Sequence, residues 1–376
     1  MNSSFALFYF SSIPYRYLLQ RPQQLFHAFQ KLYPELDVYY VEPPCGIRSY
    51  LKRKKQAAPG VLNRVINIPS NYCLPGALRF NRWSLEHVIS SRALNGKKLV
   101  AMACASFWEP LLSHEFFDLI IYDCLDAIDV HAADGNYDEL AHKHALLVNK
   151  ANIVFATAAK LREDILWTSP EKPVVVVSNG VDGNFFAERC CKKIRFPVVS
   201  GKVVGYVGAV RDWIDIDLLA ETARMMSHIT FVIVGPIEIK CQDIIKSCPD
   251  NIVFVGEQPY DDVPAWIARF DVALIPFRNS AIAEATNPVK LYEYFQLGKP
   301  VVATPMRELS QYCDDGLLYF ADNAKGFAEA ITLALDSGVV ESEHRKNIAG
   351  MNSWQSKARM MMEQIINLTA DCRSTT

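Results

Sequence analysis

The chain has 376 residues, 50% of them apolar and 21% charged, with a formal net charge of −2. This length exceeds one ordinary hydrophobic core and fits two domains, and the composition is that of a globular protein. A near-neutral balance without any nucleic-acid-binding motif argues against a nucleic acid partner. The longest uncharged apolar stretches, such as 99–108, reach about half of what a bilayer crossing requires. Met1-Asn2-Ser3-Ser4-Phe5 places no basic segment before its short apolar run, so no export leader is expected and a cytoplasmic location follows.

In chain order, strand-like runs occupy 5–10, 37–41, 99–104, 119–122, 153–156 and 174–177, with helical patterns between several of them, most clearly from Arg21-Pro22 onward and over 137–150. Most of these strands are apolar at nearly every position, the pattern of a sheet covered on both faces. A doubly wound parallel sheet is therefore predicted. The pattern loosens after Ser178-Asn179-Gly180 and restarts with strands at 203–207, 231–234, 252–255, 272–275 and 301–303, alternating with helices near 215–228, 262–269, 288–297 and 325–336. This predicts a second Rossmann-like α/β domain. The expected boundaries are 1–182, 183–352, and a terminal amphipathic helix in 353–376 that packs back toward the first domain.

The charge is unevenly spread. Between Arg48 and Lys98 there are eleven Lys or Arg against one acid, Glu86, with Lys52-Arg53-Lys54-Lys55 the densest point and Tyr50, Leu51, Tyr72, Leu74, Phe80 and Trp83 interspersed. Such a surface suits anionic lipid headgroups or a phosphate-bearing acceptor, and equally a solvated loop face. The ten cysteines contain no Cys-x-x-Cys pair and read as reduced, packed thiols. His142 and His144 lie two apart, on different sides of a helix, and make a poor metal pair. No metal is expected.

The stretch Asn287-Pro288-Val289-Lys290-Leu291-Tyr292-Glu293 carries the strongest chemical signal. Asn287 is a good N-cap and Pro288 suits the first helical position, so the amides that follow, with the positive end of the helix dipole, favour a phosphate. Lys290 and Glu293 lie three apart on one helical face, a cation near the tip and a carboxylate about a turn deeper. A diphosphate and a ribose with two hydroxyls present the complementary pattern. An ordinary amphipathic helix with a surface Lys and Glu would read the same way.

In open parallel sheets, ligands sit beyond the carboxyl ends of the strands. Val207-Gly208-Ala209-Val210-Arg211 ends one such strand; Gly208 would let backbone amides approach a phosphate and Arg211 could neutralise it. Glu257, and the run Pro276-Phe277-Arg278-Asn279, follow two others and are candidates for base or sugar contact, or simple loop residues.

Asn179-Gly180-Val181-Asp182, Gly205-Tyr206-Val207-Gly208, the strand at 231–235, Asn251 to Gly256, and Asn287 to Val302 stand in the order and spacing of retaining GT-B glycosyltransferases. The chain resembles family 4, in the branch around the teichuronic acid glycosyltransferase TuaH. Arg21-Pro22-Gln23-Gln24 and Tyr122-Asp123-Cys124-Leu125-Asp126 resemble that branch as well. The likeness spans nearly the whole chain, strongest over 203–305 and weakest over 45–98. It implies a GT-B fold with two Rossmann-like domains facing across a cleft, the first binding acceptor and the second a nucleotide sugar, most commonly of uridine diphosphate. It also implies that Glu293 holds the ribose, that Gly208, Ala209 and Arg211 lie at the donor diphosphate, and that Asn287, Pro288 and Val289 face phosphate or sugar. Two positions depart from the family. The first glutamate of its E-x7-E motif falls at Ala285, one residue after Glu284, and the histidine many relatives carry is Leu125 here.

The implied reaction is hexosyl transfer from a nucleotide sugar to a glycan or polyprenyl-linked acceptor in polysaccharide biosynthesis, with no metal or other cofactor. The amides after Asn287, with Lys290 and Arg211, would stabilise the departing diphosphate. Asp126, Asp123 and His131, just past a strand, are placed to orient an acceptor hydroxyl, with Asp126 favoured. Arg21 and Gln24, at an early helix start, would help bind acceptor or close the cleft. A sugar-nucleotide epimerase of the same architecture, or a non-catalytic two-lobed sugar-binding protein, would share the nucleotide pocket.

Overall fold

The computed structural model describes residues 5–16, 19–46, 48, 51, 64–70, 77–92, 94, 96–128, 136–199, 201–313, 316–336 and 338–371. The chain divides into two compact units, Met1–Ser178 with Trp354–Thr376, and Asn179–Ser353. His131, Lys52-Arg53-Lys54-Lys55, Tyr50, Tyr72 and Leu74 lie outside the described residues.

The first unit contains β1 (Phe5–Phe10), β2 (Asp37–Val41), β3 (Cys45–Gly46), β4 (Val65–Ile66), β5 (Pro69–Ser70), β6 (Lys98–Ala103), β7 (Leu119–Cys124), β8 (Ile153–Ala156) and β9 (Val174–Val176). Its main sheet runs β4-β2-β1-β6-β7-β8-β9, while β3 and β5 pair apart from it. The main sheet is parallel throughout. Every residue of β1, β7 and β8 is buried, so both faces of these strands are covered, as their unbroken apolar sequence requires. The covering helices include Arg21–Leu32, Ala77–Ser90, Tyr137–Lys150 and Ala159–Thr168. Trp354–Asp371 belongs to this unit and packs on Arg21–Leu32.

The second unit contains β10 (Val203–Val207), β11 (Thr230–Val234), β12 (Ile252–Gly256), β13 (Val272–Ile275), β14 (Val301–Ala303) and β15 (Leu318–Phe320), in the order β12-β11-β10-β13-β14-β15. All pairs are parallel. Chain order reverses between β10 and β13, which leaves a crevice at their carboxyl ends, where open α/β sheets bind ligands. Gly205 lies inside β10 because Phe270 rests directly on the strand; a Cβ there would fall 2.3 Å from the ring.

Helix Val339–Met351 has a mostly polar sequence, yet it closes the core of this unit. Its Arg345 is fully buried and donates to the carbonyls of Leu317 at 2.9 Å and Gly316 at 3.3 Å. The guanidinium thereby satisfies main-chain acceptors just before β15 that no apolar side chain could satisfy.

Lys357, on the terminal helix, is buried and donates to the Ser178 hydroxyl at 2.7 Å. Burial, reinforced by the nearby Arg21 guanidinium, lowers its pKa to about 8 from an ordinary 10.5. Below pH 8 both folded and unfolded chains hold this proton and the fold bears the desolvation cost. Between 8 and 10.5 the unfolded chain retains a proton that the folded chain has released, so stability rises with pH across that window. A gain of about 3 kcal/mol from this residue is expected. Urea unfolding at pH 7.5 and pH 10 should show it as the difference between wild type and Lys357→Met, which lacks the titration.

Candidate active site

At the end of β10 the chain turns through Gly208, whose φ is +150°. A Cβ there would lie 2.2 Å from Lys290 Cε and 2.7 Å from Tyr206 Oη. Gly235, after β11, has φ +146°, and its Cβ would lie 2.1 Å from the Gly208 carbonyl oxygen. The two strand-end turns therefore run backbone against backbone, with the Lys290 side chain lying across Gly208. Gly256, at the end of β12, accepts a hydrogen bond from the Gly235 N–H at 2.9 Å. The Gly208 N–H donates to Val234 O at 2.8 Å and the Val210 N–H to Pro236 O at 2.9 Å. The Gly208 amide is thus engaged by the neighbouring strand end. Gly208 supplies space, and the amide between the two engaged ones is that of Ala209.

The helix Val289–Gln296 follows, with Pro288 in the cap position at φ −74° and ψ 119°. The expectation that Asn287 caps this helix is corrected. Its buried carboxamide accepts from the Asn179 N–H at 2.9 Å and donates to Tyr292 Oη at 3.2 Å, while Asn179 Nδ2 donates to the Asn287 carbonyl at 2.7 Å. Asn287 thus pins the helix tip from outside, and the amides of Val289 and Lys290 stay at the tip without intrahelical acceptors.

Lys290 is half-buried, its Nζ 5.5 Å from the Tyr206 ring centre and 6.0 Å from that of Phe277. Burial pulls its pKa below the ordinary value, and Glu293 opposes the shift. Glu293 is buried and accepts from Tyr260 Oη at 3.0 Å. Burial raises its pKa, against the Tyr260 hydrogen bond and the Lys290 charge. Tyr260 in turn stacks on Phe185, with ring centres 5.2 Å apart. Sequence reasoning missed Tyr260 as a site residue, although it stands three residues past Glu257 at a strand end.

Arg211 is exposed, with its guanidinium over the Trp213 ring at 5.2 Å and no acceptor among the described residues. Glu257 is likewise exposed beyond β12. Arg278 is engaged by Asp217 at 2.9 Å and Asp215 at 3.5 Å, which removes it from the candidates for ligand contact. Ala285 is buried, and Glu284 ends the short helix Ala281–Glu284.

In the first unit, Arg21 and Asp123 form a buried bidentate pair. Arg21 Nη2 lies 2.8 Å from Asp123 Oδ1 and Nε 3.1 Å from Oδ2, the Tyr9 hydroxyl donates to Oδ2 at 2.6 Å, and Arg21 Nη1 donates to Ser178 O at 3.1 Å. Asp123 is 0% exposed. The expectations that Asp123 orients an acceptor hydroxyl and that Arg21 binds acceptor are therefore corrected: both are closed on each other, and their role is to position β1, β7 and the segment at Ser178. Gln24 is buried on the same helix as Arg21. Asp126 lies half-buried two residues beyond β7.

Residues 201–337, which hold Gly208, Arg211, Lys290 and Glu293, match the family model for glycosyl transferases group 1. That segment is similar to a group 1 glycosyltransferase domain. The chain is similar to the putative teichuronic acid biosynthesis glycosyltransferase TuaH of Bacillus subtilis (strain 168), 25% identical over 275 residues that make up 68% of each chain. Its fold is similar to that of sucrose-phosphate synthase (tll1590) from Thermosynechococcus elongatus, with TM-score 0.73, 14% identity, and 97% and 100% of the two chains covered. Anabaena Alr3699/HepE, solved with UDP and glucose, aligns with TM-score 0.68 and 14% identity over 96% and 98% of the chains. The expected GT-B fold class is thus observed, in a glycosyltransferase.

Two substitutions separate the roles of these sites. Asp123→Ala leaves Arg21 buried without its counter-charge and should cost about 3–5 kcal/mol in urea unfolding. Gly208→Ala forces Lys290 out of its position and should weaken nucleotide binding at least about tenfold by calorimetry, a loss of about 1.4 kcal/mol.

Proposed function

We propose that this glycosyltransferase is a retaining hexosyltransferase. It takes a sugar from a UDP-sugar and passes it to a glycan or lipid-linked acceptor in cell-surface polysaccharide synthesis. The observation that carries the reading is the buried Glu293 carboxylate, held by Tyr260 a turn below a helix tip whose Lys290 crosses Gly208. Two ribose hydroxyls would donate to Glu293. The diphosphate would lie at the amides of Val289, Lys290 and Ala209, beside the Lys290 and Arg211 cations. As the glycosidic bond breaks, negative charge accumulates on the leaving phosphate oxygen, and donors fixed in advance around it lower the barrier. No metal ion is needed where two cations and a helix tip already offset that charge.

In a retaining transfer, the acceptor attacks from the face that the diphosphate leaves, so the leaving phosphate can itself take the acceptor proton. Asp126 is the carboxylate assigned to orient the acceptor hydroxyl. The choice of uridine rests on the UDP bound by HepE, and that of a cell-wall type acceptor on the name of TuaH. Among the described residues no helix is long and apolar enough to cross a membrane. This reading puts the enzyme in the cytoplasm, with residues 48–98 toward the anionic inner surface of the membrane.

Glu293→Ala should weaken UDP binding at least about tenfold, and Arg211→Ala should lower turnover with a UDP-sugar while leaving the fold intact. Unchanged binding and rates in both variants would sink the donor-site assignment. Proton NMR of the first-formed product should show the anomeric configuration of the donor, and an inverted product would reject retention. Because burial raises the Glu293 pKa, UDP affinity should fall as pH is lowered through that raised value. Tyr260→Phe removes a hydrogen bond that favours the carboxylate, so it should move the fall to higher pH.

A further inference from the structure

Helix Ala77–Ser90 buries Asn81, Ser84, Leu85 and Ile89 on one side. A surface helix normally turns charged residues outward on the other. Here the outward side carries Phe80, Trp83 and His87 at spacings of three and four. The rings of Phe80 and Trp83 are 6.0 Å apart, and Trp83 stacks on His87 at 5.3 Å with 13° between planes. Trp83 is 59% exposed, Leu78 50% and Phe80 45%. Scattered exposed apolar residues need no explanation, whereas a contiguous stacked set marks an interaction surface.

The charge of the flanking sequence selects the partner. Residues 48–98 hold eleven basic side chains against one acid. Among the described ones, Lys97 is neutralised by Asp37, while Arg64, Arg82 and Lys98 donate to carbonyls and keep their charge. Arg79, on the helix itself, is exposed and without a partner among the described residues, as is Arg48. Aromatic rings flanked by cations suit the boundary between headgroups and acyl chains of an anionic bilayer, where the rings enter and the cations meet lipid phosphates.

We infer that the Phe80–Trp83–His87 stripe is the face by which the enzyme docks on an anionic phospholipid surface. The inference deepens the membrane partner of the proposed function, and its test uses neither donor nor acceptor.

The full chain would be sedimented with vesicles of phosphatidylglycerol and phosphatidylcholine, and with vesicles of phosphatidylcholine alone. Wild type should pellet with the anionic vesicles and stay in solution with the neutral ones. Phe80→Ser/Trp83→Ser should lower the apparent partition coefficient at least about tenfold, with an unchanged melting temperature and UDP affinity; Arg79→Glu should lower it less. Failure of wild type to pellet, or equal pelleting of wild type and the double variant, would overturn the inference. So would light scattering that shows a dimer which the double variant breaks, because the stripe would then be an interface between copies. If UDP does not bind while pelleting follows the stripe, the donor-site reading fails and the docking face stands.

Discussion

Two backbone turns and two side chains, those of Lys290 and Tyr206, meet at Gly208, and the candidate site of the second unit depends on how closely they do so. The turns after β10 and β11 touch main chain to main chain, leaving no room for a Cβ at Gly235, while the Lys290 and Tyr206 side chains leave none at Gly208. That approach lets the Lys290 side chain lie flat over the turn, between Tyr206 and Phe277. A lysine held this way has lost water and has not gained a strongly neutralising partner, so burial pulls its pKa down. An incoming dianion would restore the missing interaction. On the proposed donor-site reading, the site would be arranged before any ligand arrives, and a preorganised electrostatic site avoids reorganisation during the reaction.

The two units treat buried charge in opposite ways. Arg21, Asp123 and Tyr9 satisfy one another in the first unit, a closed set that holds β1, β7 and Ser178 in one arrangement. Buried pairs of this kind add little net stability, but losing one member is costly. In the second unit, Glu293 has one hydrogen bond among the described residues, from Tyr260, and lies near a partly desolvated lysine. Closed sets fix geometry, and open ones remain able to take a ligand. The same residue types, read from sequence alone, gave no means of telling these cases apart.

The fold was legible because its strands are apolar at nearly every position. The runs at 5–10, 37–41, 153–156, 203–207, 272–275 and 301–303 became strands with those bounds. What escaped the reading had a physical reason in each case. β3, β4 and β5 are two residues long, too short to show a period. Val339–Met351 looked polar because its inward anchor is Arg345, which serves carbonyls rather than apolar contacts. Within the candidate site, Lys290, Glu293 and Gly208 were named from helix and strand-end rules. Asn287 was misassigned because an Asn before Pro suits a cap, whereas its actual partner, Asn179, lies 108 residues away in sequence. Tyr260 was missed for the same reason: its value lies in a contact with Glu293, and no local pattern encodes that.

Lys357 has one more implication. An amine with a pKa near 8 is half in its nucleophilic free-base form under mildly alkaline conditions, yet this one is enclosed beside Ser178 and hidden from reagents. Its acylation rate is therefore governed by how often the terminal helix lifts away from the sheet-bearing body that it covers. A single atom, Nζ, thereby becomes an intrinsic clock for local opening of the first unit, read by mass spectrometry as the rate at which an acylating reagent adds to it.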